Sequence, residues 1–101
     1  MITSQILLPT KDNKGELLSL DYIQPILKQI ALMFGGYTLQ SGRGGYITDN
    51  NTLIEEDVTI VTIIGERKAL KAFTLSLAND VKNKQSQESV LCYVDKTPIF
   101  I

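Results

Sequence analysis

The 101-residue chain has no histidine, no tryptophan and a single cysteine, Cys92. Without histidine it lacks the side chain whose ordinary pKa lies nearest neutral pH, and it lacks the imidazole of a Ser-His-Asp triad. One cysteine without histidine also removes the usual zinc ligand sets, and a lone thiol forms no intramolecular disulfide. Any catalysis must therefore use carboxylates, lysine, arginine, tyrosine or this thiol. The sequence predicts no metal and no cofactor.

The sequence also has little net charge and no long hydrophobic run. Ten basic and 11 acidic residues leave a formal net charge of -1, so the general electrostatic attraction to nucleic acid is missing. No window approaches the roughly 20 apolar residues that span a bilayer, and the N-terminus lacks the pattern of a secretory signal. We therefore expect a cytoplasmic protein without a nucleic-acid or membrane partner, folded as one domain over residues 1–101.

Two amphipathic helical patterns alternate with extended segments. Residues 3–9 predict a strand, 21–34 a helix, and 48–52 the tip of a hairpin with a strand on each side. Residues 66–84 predict a second helix, and 90–94 and 99–101 are short strand-like runs. This order predicts an α+β fold of the ferredoxin-like, split βαβ type, in which both helices cover one face of an antiparallel sheet. The last run adds a possible fifth strand.

Residues 58–64, with the sequence VTIVTII, are apolar on both sides of the predicted strand. If both helices lie on one face of the sheet, the other face must meet solvent or a partner, and this strand makes that face apolar. We therefore expect a homo-dimer or a higher homo-oligomer that assembles through the sheet face.

The segment Gly42-Arg43-Gly44-Gly45-Tyr46 is the most unusual in composition. Glycines let backbone amides approach a ligand, and arginine offers a fork for phosphate or carboxylate, so Arg43, Gly44, Gly45 and Tyr46 are candidate binding residues for a small anionic ligand. The segment lacks the lysine and hydroxyl residue of a phosphate loop. The alternative is a strand that the glycines interrupt with a bulge or kink.

Three carboxylates, Glu55, Glu56 and Asp57, stand at the start of the apolar strand. Alternation sends Glu55 and Asp57 to one face and Glu56 to the other. Glu55 or Glu56 is a candidate acid/base if held beside the apolar sheet, and Arg43 is a candidate ion-pair partner. The alternative is a solvated acidic patch that discourages pairing at the strand end.

Two further candidates lie before the last strands. Gln87 and Glu88 are candidate binding residues if their side chains reach a cleft at the end of the sheet, and otherwise they satisfy the backbone of a turn. Cys92 lies between Leu91 and Tyr93, where a thiol behaves as a small hydrophobic side chain.

The order of several short motifs resembles a family of small bacterial proteins of unknown function. The matching positions begin after the first helix and extend to the end of the chain. They are Phe34-Gly35-Gly36, Gly44-Gly45-Tyr46, Asp49-Asn50-Asn51, Glu55 or Glu56, the helix from Glu66, and Gln87-Glu88-Ser89-Val90. The resemblance implies the ferredoxin-like fold and marks Tyr46, Glu55, Glu56, Gln87 and Glu88, but it implies no activity.

Three functional hypotheses follow. The first is a self-associating binding or regulatory module of unknown ligand. The second is a small enzyme in which Glu55 or Glu56 acts as acid/base and Arg43 holds an anionic small molecule. The third is a protein-interaction partner. The enzyme hypothesis loses its basis if Arg43 and the two glutamates point to different faces of the sheet or into bulk water.

Overall fold

The computed structural model describes residues 1–12, 14–87 and 89–101. The first half of the chain contains β1 (Ile2–Pro9), a single 3-10 turn (Leu20–Tyr22), α1 (Ile23–Phe34) and β2 (Thr38–Ile47). The second half contains β3 (Leu53–Gly65), α2 (Arg67–Lys84), β4 (Leu91–Val94) and β5 (Thr97–Phe100). The five strands form one antiparallel sheet in the order β2-β3-β1-β4-β5. This confirms the predicted ferredoxin-like α+β architecture and the extra C-terminal strand.

Both helices lie on one side of the sheet, here called the helix side. The alternating burial of β1 shows this arrangement. Ile2, Ser4, Ile6 and Leu8 are buried under the helices, and the residues between them point to the opposite side. The opposite side, here called the open side, is covered by neither helix. The apolar core between helices and sheet contains Ile6, Leu8, Ile23, Leu27, Ile30, Val61, Ile63, Leu70, Leu77, Ala78, Val81, Val90 and Cys92.

The ends of α1 follow from its sequence. Pro25 lies in the first turn, where its missing N–H leaves no hydrogen bond unmade. Gly35 ends the helix with a φ of 92° and donates its N–H to the Ala31 carbonyl, a left-handed conformation that glycine adopts without steric cost. The predicted end at Phe34 is therefore confirmed.

Glu66 caps α2. Its carboxylate accepts hydrogen bonds from the backbone N–H groups of Lys68 and Ala69, each at 3.0 Å. These two bonds favour the charged carboxylate and lower the pKa of Glu66 below its ordinary value. The α-helix itself begins at Arg67, one residue after the predicted start.

Strand β2 is continuous through its glycines, so the predicted interruption by a bulge or kink is wrong. All ten residues from Thr38 to Ile47 pair with β3 in one unbroken register, including Gly44 opposite Glu56 and Gly45 opposite Glu55. The β-branched run of β3 pairs with the first half of β2, up to Gly42 opposite Val58, and the same register continues through Gly44 and Gly45 to the turn.

The far half of the β2–β3 hairpin extends beyond the rest of the sheet, and we call residues 42–57 the arm. The ladder between β1 and β3 ends at the pair Pro9–Val58, so the arm has no third strand beside it. On the helix side of the arm, Ile47 and Leu53 are 59% and 57% exposed, which shows that no helix covers them. The arm gives the molecule its elongated shape of 41 × 28 × 22 Å.

Across the described ranges 1–12, 14–87 and 89–101, neither helix has both the length and the apolar composition needed to cross a membrane.

Candidate functional site

A groove lies on the helix side, between the start of α1 and the β2–β3 ladder. Ile23, Gln24 and Leu27 of the helix form one wall, and Leu39, Gln40, Ser41 and Thr59 line the rest. Its volume of about 250 Å³ is just below the range of ~300–1,000 Å³ that is usual for clefts holding small molecules. The inner lining is aliphatic, and its polar side chains on this side of the sheet are the hydroxyls of Ser41 and Thr59 and the amide of Gln24. Gln40 lines the groove from a strand position that faces the opposite side of the sheet. Such a lining suits a flat apolar group that carries a few hydrogen-bonding substituents.

The position of the helix wall depends on Tyr22. Its hydroxyl donates a hydrogen bond of 2.6 Å to the Pro9 carbonyl at the end of β1. Partial burial of the ring raises the pKa of Tyr22 to about 12, so the hydroxyl stays protonated and able to donate. Ile23 and Gln24 follow directly, and this bond therefore fixes the groove wall relative to the sheet.

The groove continues into charged residues along the arm. The next helix-side position after Ser41 on β2 is Arg43, and the next positions after Thr59 on β3 are Asp57 and Glu55. Residues two apart on a strand are separated by about 6.6 Å, so Arg43 lies within reach of a ligand that also contacts Ser41. The register thus places one cation and two carboxylates on the same face as the groove, beyond its lining residues.

Arg43 and Glu55 form an ion pair, with 2.9 Å between Arg43 Nε and Glu55 Oε2. Their side chains remain 70% and 45% exposed, so the pair is open to water and contributes little to folding. The Asp57 carbonyl accepts a hydrogen bond of 2.7 Å from the Thr10 hydroxyl, which attaches the base of the arm to the end of β1. The carboxylate of Asp57 faces the same side as Arg43.

Glu56 and Tyr46 lie on the open side, away from Arg43 and Glu55. The register places Glu56 opposite Gly44 and Tyr46 opposite Ile54. These positions alternate along the strands with those of Arg43 and Glu55, so their side chains point to the other side of the sheet. Glu56 therefore does not share a face with Arg43. Glu55 is the one of the two candidate acid/base glutamates that lies beside this arginine. Gly44 is on the open side and Gly45 on the helix side, where its pairing with Glu55 leaves room beside the ion pair.

Gln87 lies apart from the groove. Its side-chain amide donates hydrogen bonds of 2.7 Å to the Lys11 carbonyl and 3.0 Å to the Gln85 carbonyl. These bonds connect the segment after α2 to the loop after β1. The Gln87 side chain therefore satisfies backbone carbonyls, as the turn interpretation predicted. Glu88, the other candidate in this segment, lies outside the described residues.

Cys92 is buried in β4, on the helix side of the sheet, among the core residues. Burial raises the pKa of its thiol and keeps it protonated, which removes nucleophilic character. No group of three or more potential metal-ligating side chains occurs within the part of the chain that the structure describes.

None of the seven lining residues was among the sequence-based candidates. The seven are Ile23, Gln24, Leu27, Leu39, Gln40, Ser41 and Thr59. They come from one helix and two strands, and their assembly depends on where α1 crosses the sheet. No local pattern marks them. Asp57 was placed on the correct face by alternation, but it was considered only as part of an acidic run.

The fold has known counterparts among solved structures. It is similar to that of a phage SAM lyase solved in complex with S-methyl-5'-thioadenosine, with a TM-score of 0.72 and 14% sequence identity over 98% of this chain and 87% of that one. The phage SAM lyase in its apo state gives a TM-score of 0.68 and 16% identity over 98% and 86%. At this identity the likeness establishes a shared fold. No family model and no curated protein sequence matches the chain, so the resemblance to a bacterial family of unknown function has no support there.

Proposed function

We propose that the protein binds S-adenosylmethionine in the helix-side groove and cleaves it to S-methyl-5'-thioadenosine. The observation that carries this proposal is the placement of Arg43, Asp57 and Glu55 on the same face of the β2–β3 hairpin as the cleft, next along the strands from Ser41 and Thr59. The shared fold with a phage SAM lyase that binds S-methyl-5'-thioadenosine supports the choice of ligand.

The inner groove suits an adenosyl group. Leu39, which is 43% exposed, offers aliphatic surface to a purine ring, and the nearly buried Ile23 and Leu27 lie at the base of the cleft. Gln24, Ser41 and Thr59 offer donors and acceptors to the ring nitrogens and the ribose hydroxyls. Ser41 and Thr59 are paired across the β2–β3 ladder, so their two hydroxyls lie on one face within reach of adjacent ribose oxygens.

The charged end of the groove suits the rest of the substrate. S-adenosylmethionine carries a sulfonium, an ammonium and a carboxylate on the side opposite the purine. In this proposal Arg43 binds the carboxylate, the anionic group expected from the sequence, and Glu55 and Asp57 face the two positive charges. S-methyl-5'-thioadenosine keeps the adenosyl group but has none of these charges, so product release follows from the loss of these contacts.

This reaction does not require the side chains that the chain lacks. A sulfonium sulfur takes the electron pair of the broken carbon–sulfur bond and leaves as a neutral thioether, so no general acid must protonate a leaving group. Because a lyase adds no water, the substrate's own carboxylate oxygen forms the new bond to the carbon that the sulfur leaves. The second product is then a lactone that keeps the ammonium group, and atoms and charges balance. The residues of the groove have to orient the substrate and keep its charged end paired, which is a task of positioning and electrostatics.

Calorimetric titration with S-adenosylhomocysteine, the uncharged-sulfur analogue, and with S-methyl-5'-thioadenosine tests the binding. We expect saturable binding of both compounds to the wild-type protein. Ser41→Phe fills the groove floor on an exposed strand, and we expect it to weaken both by at least tenfold, a loss of about 1.4 kcal/mol.

The matched comparison uses two adjacent glutamates. Glu55→Gln removes a carboxylate from the groove face, and Glu56→Gln removes one from the open side. We expect Glu55→Gln alone to lower the rate at which S-methyl-5'-thioadenosine forms from S-adenosylmethionine. Equal rates in the two variants would show that Glu55 is not part of the proposed site.

A second candidate is a regulatory module that binds the same ligand without cleaving it. It is favoured by the exposure of Arg43 and Glu55, whose side chains are 70% and 45% exposed and therefore open to water. Binding of S-adenosylhomocysteine with no formation of S-methyl-5'-thioadenosine would select this candidate over the enzyme.

A further inference from the structure

The open side of the sheet is almost free of charge. Among the strand residues that face this side, all of which the structure describes, Glu56 is the one ionisable acid or base other than tyrosine, although 21% of the chain is charged. These residues are Thr3, Gln5, Leu7 and Pro9 of β1, Thr38, Gln40, Gly42, Gly44 and Tyr46 of β2, Ile54, Glu56, Val58, Ile60, Thr62 and Ile64 of β3, Leu91 and Tyr93 of β4, and Pro98 and Phe100 of β5.

Apolar side chains dominate this side and have no helix over them. Ile64, Tyr46 and Phe100 are 57%, 54% and 72% exposed. Val58 and Ile60 are half-buried by their neighbours within the sheet. A solvated antiparallel sheet face normally carries polar residues at such positions, so this one is suited to contact with protein.

Two of the polar side chains on this side are paired with each other, and the one charge lies at the edge. Gln5 donates its side-chain amide to the Thr62 hydroxyl at 3.1 Å across the β1–β3 ladder, which leaves these groups partly satisfied within the sheet. Glu56 lies in the arm, beyond the last pair between β1 and β3, and so at the rim of the face. Its charge can stay in water when the centre of the face is covered.

The face is large enough for a specific interface. Five strands spaced by about 4.8 Å, and about eight residues long at ~3.3 Å per residue, give a flat footprint of roughly 600 Å² before side-chain relief is counted. Standard interfaces bury about 800 Å² on each partner. The side chains that project from this face add to the flat footprint and bring the available area near this value.

We infer that a second copy of this chain covers the open side in solution. A two-fold interface places the same face on both partners, and an uncharged apolar face is complementary to itself without opposing like charges. It also offers nothing to attract a partner of opposite charge, since the net charge of the whole chain is only -1. In such a pair the two Glu56 side chains lie at opposite rims.

Size-exclusion chromatography with light scattering, over a wide range of protein concentration, tests this inference. We expect the wild-type protein to have at least twice the chain mass of 11.2 kDa. Ile60→Lys places a charge at the centre of the face, and we expect it to shift the mass to that of one chain. Ile64→Lys is the second variant, because its exposed position tolerates lysine in the folded monomer.

Leu32→Lys is the matched control. Leu32 lies on α1 and is 79% exposed, so the same kind of substitution is made at an apolar residue away from the sheet. We expect this variant to keep the wild-type mass. A monomeric wild-type protein at all concentrations overturns the inference, as does an unchanged oligomer mass in a folded Ile64→Lys variant.

Discussion

Replacing Arg43 with methionine should separate the binding role of this residue from its structural role. The Arg43–Glu55 ion pair is 2.9 Å long, but its side chains are 70% and 45% exposed. Exposed ion pairs contribute about 0.2–1 kcal/mol to folding, so we expect Arg43→Met to lower the free energy of unfolding by at most that amount. Urea denaturation followed by circular dichroism measures this quantity.

The effect on ligand binding should be larger and depend on the ligand. A hydrogen bond between charged groups contributes about 1.5–3 kcal/mol, and the exposure of Arg43 favours the lower end, which corresponds to roughly a tenfold change in Kd. S-adenosylhomocysteine has the carboxylate that Arg43 would bind, and S-methyl-5'-thioadenosine does not. We therefore expect a tenfold weaker Kd for the first compound and an unchanged Kd for the second, both measured by calorimetry.

Arg67 provides a matched control for this experiment. It forms a similar exposed ion pair with Asp95, with an Nη2–Oδ2 distance of 3.1 Å, near the opposite end of β1. Arg67→Met should leave both ligand affinities unchanged. If Arg43→Met weakens both ligands equally, or neither, then Arg43 does not bind the carboxylate and the orientation proposed for the substrate is wrong.

Two further predictions concern the framework of the site. Gly65→Ala should destabilise the fold by about 1–3 kcal/mol in urea denaturation, because its Cβ would lie 2.7 Å from Cδ1 of Phe34; unchanged stability would show that the ring moves aside freely. In an alkaline absorbance titration, one tyrosine should ionise with a pKa of about 12, and Tyr22→Phe should remove it. Because folding raises the pKa of Tyr22 from 10.0, the stability it contributes is complete below pH 10 and is lost as the pH rises towards 12.

Much of the fold follows from the sequence because its signals are local. Gly35 after an amphipathic run indicates a helix end, and strand alternation alone separates Glu55 and Asp57 from Glu56. The glycines of β2 gave the wrong expectation, since a bulge was inferred from this strand's own composition. Its conformation is set by pairing with β3 across the hairpin, which the composition of β2 alone does not show.

The candidate site was harder to predict for a related reason. Arg43 and Glu55 were identified because their side chains are charged and their segments unusual, and the structure places them in contact. Ser41, Thr59 and Gln24 are ordinary residues whose role depends on α1 crossing the sheet at the start of the arm. Gln87 was a candidate binding residue, but its side-chain amide donates to two backbone carbonyls.

Release of S-methyl-5'-thioadenosine from S-adenosylmethionine tests the central claim most directly. Liquid chromatography should follow this product over time with the wild-type protein, with Ser41→Phe and with a protein-free control for spontaneous breakdown. We predict release above the control by the wild-type protein and a loss of that release in Ser41→Phe. Release by the wild-type protein no faster than the control, or equal release by a folded Ser41→Phe variant, would contradict the assignment of SAM cleavage to this groove.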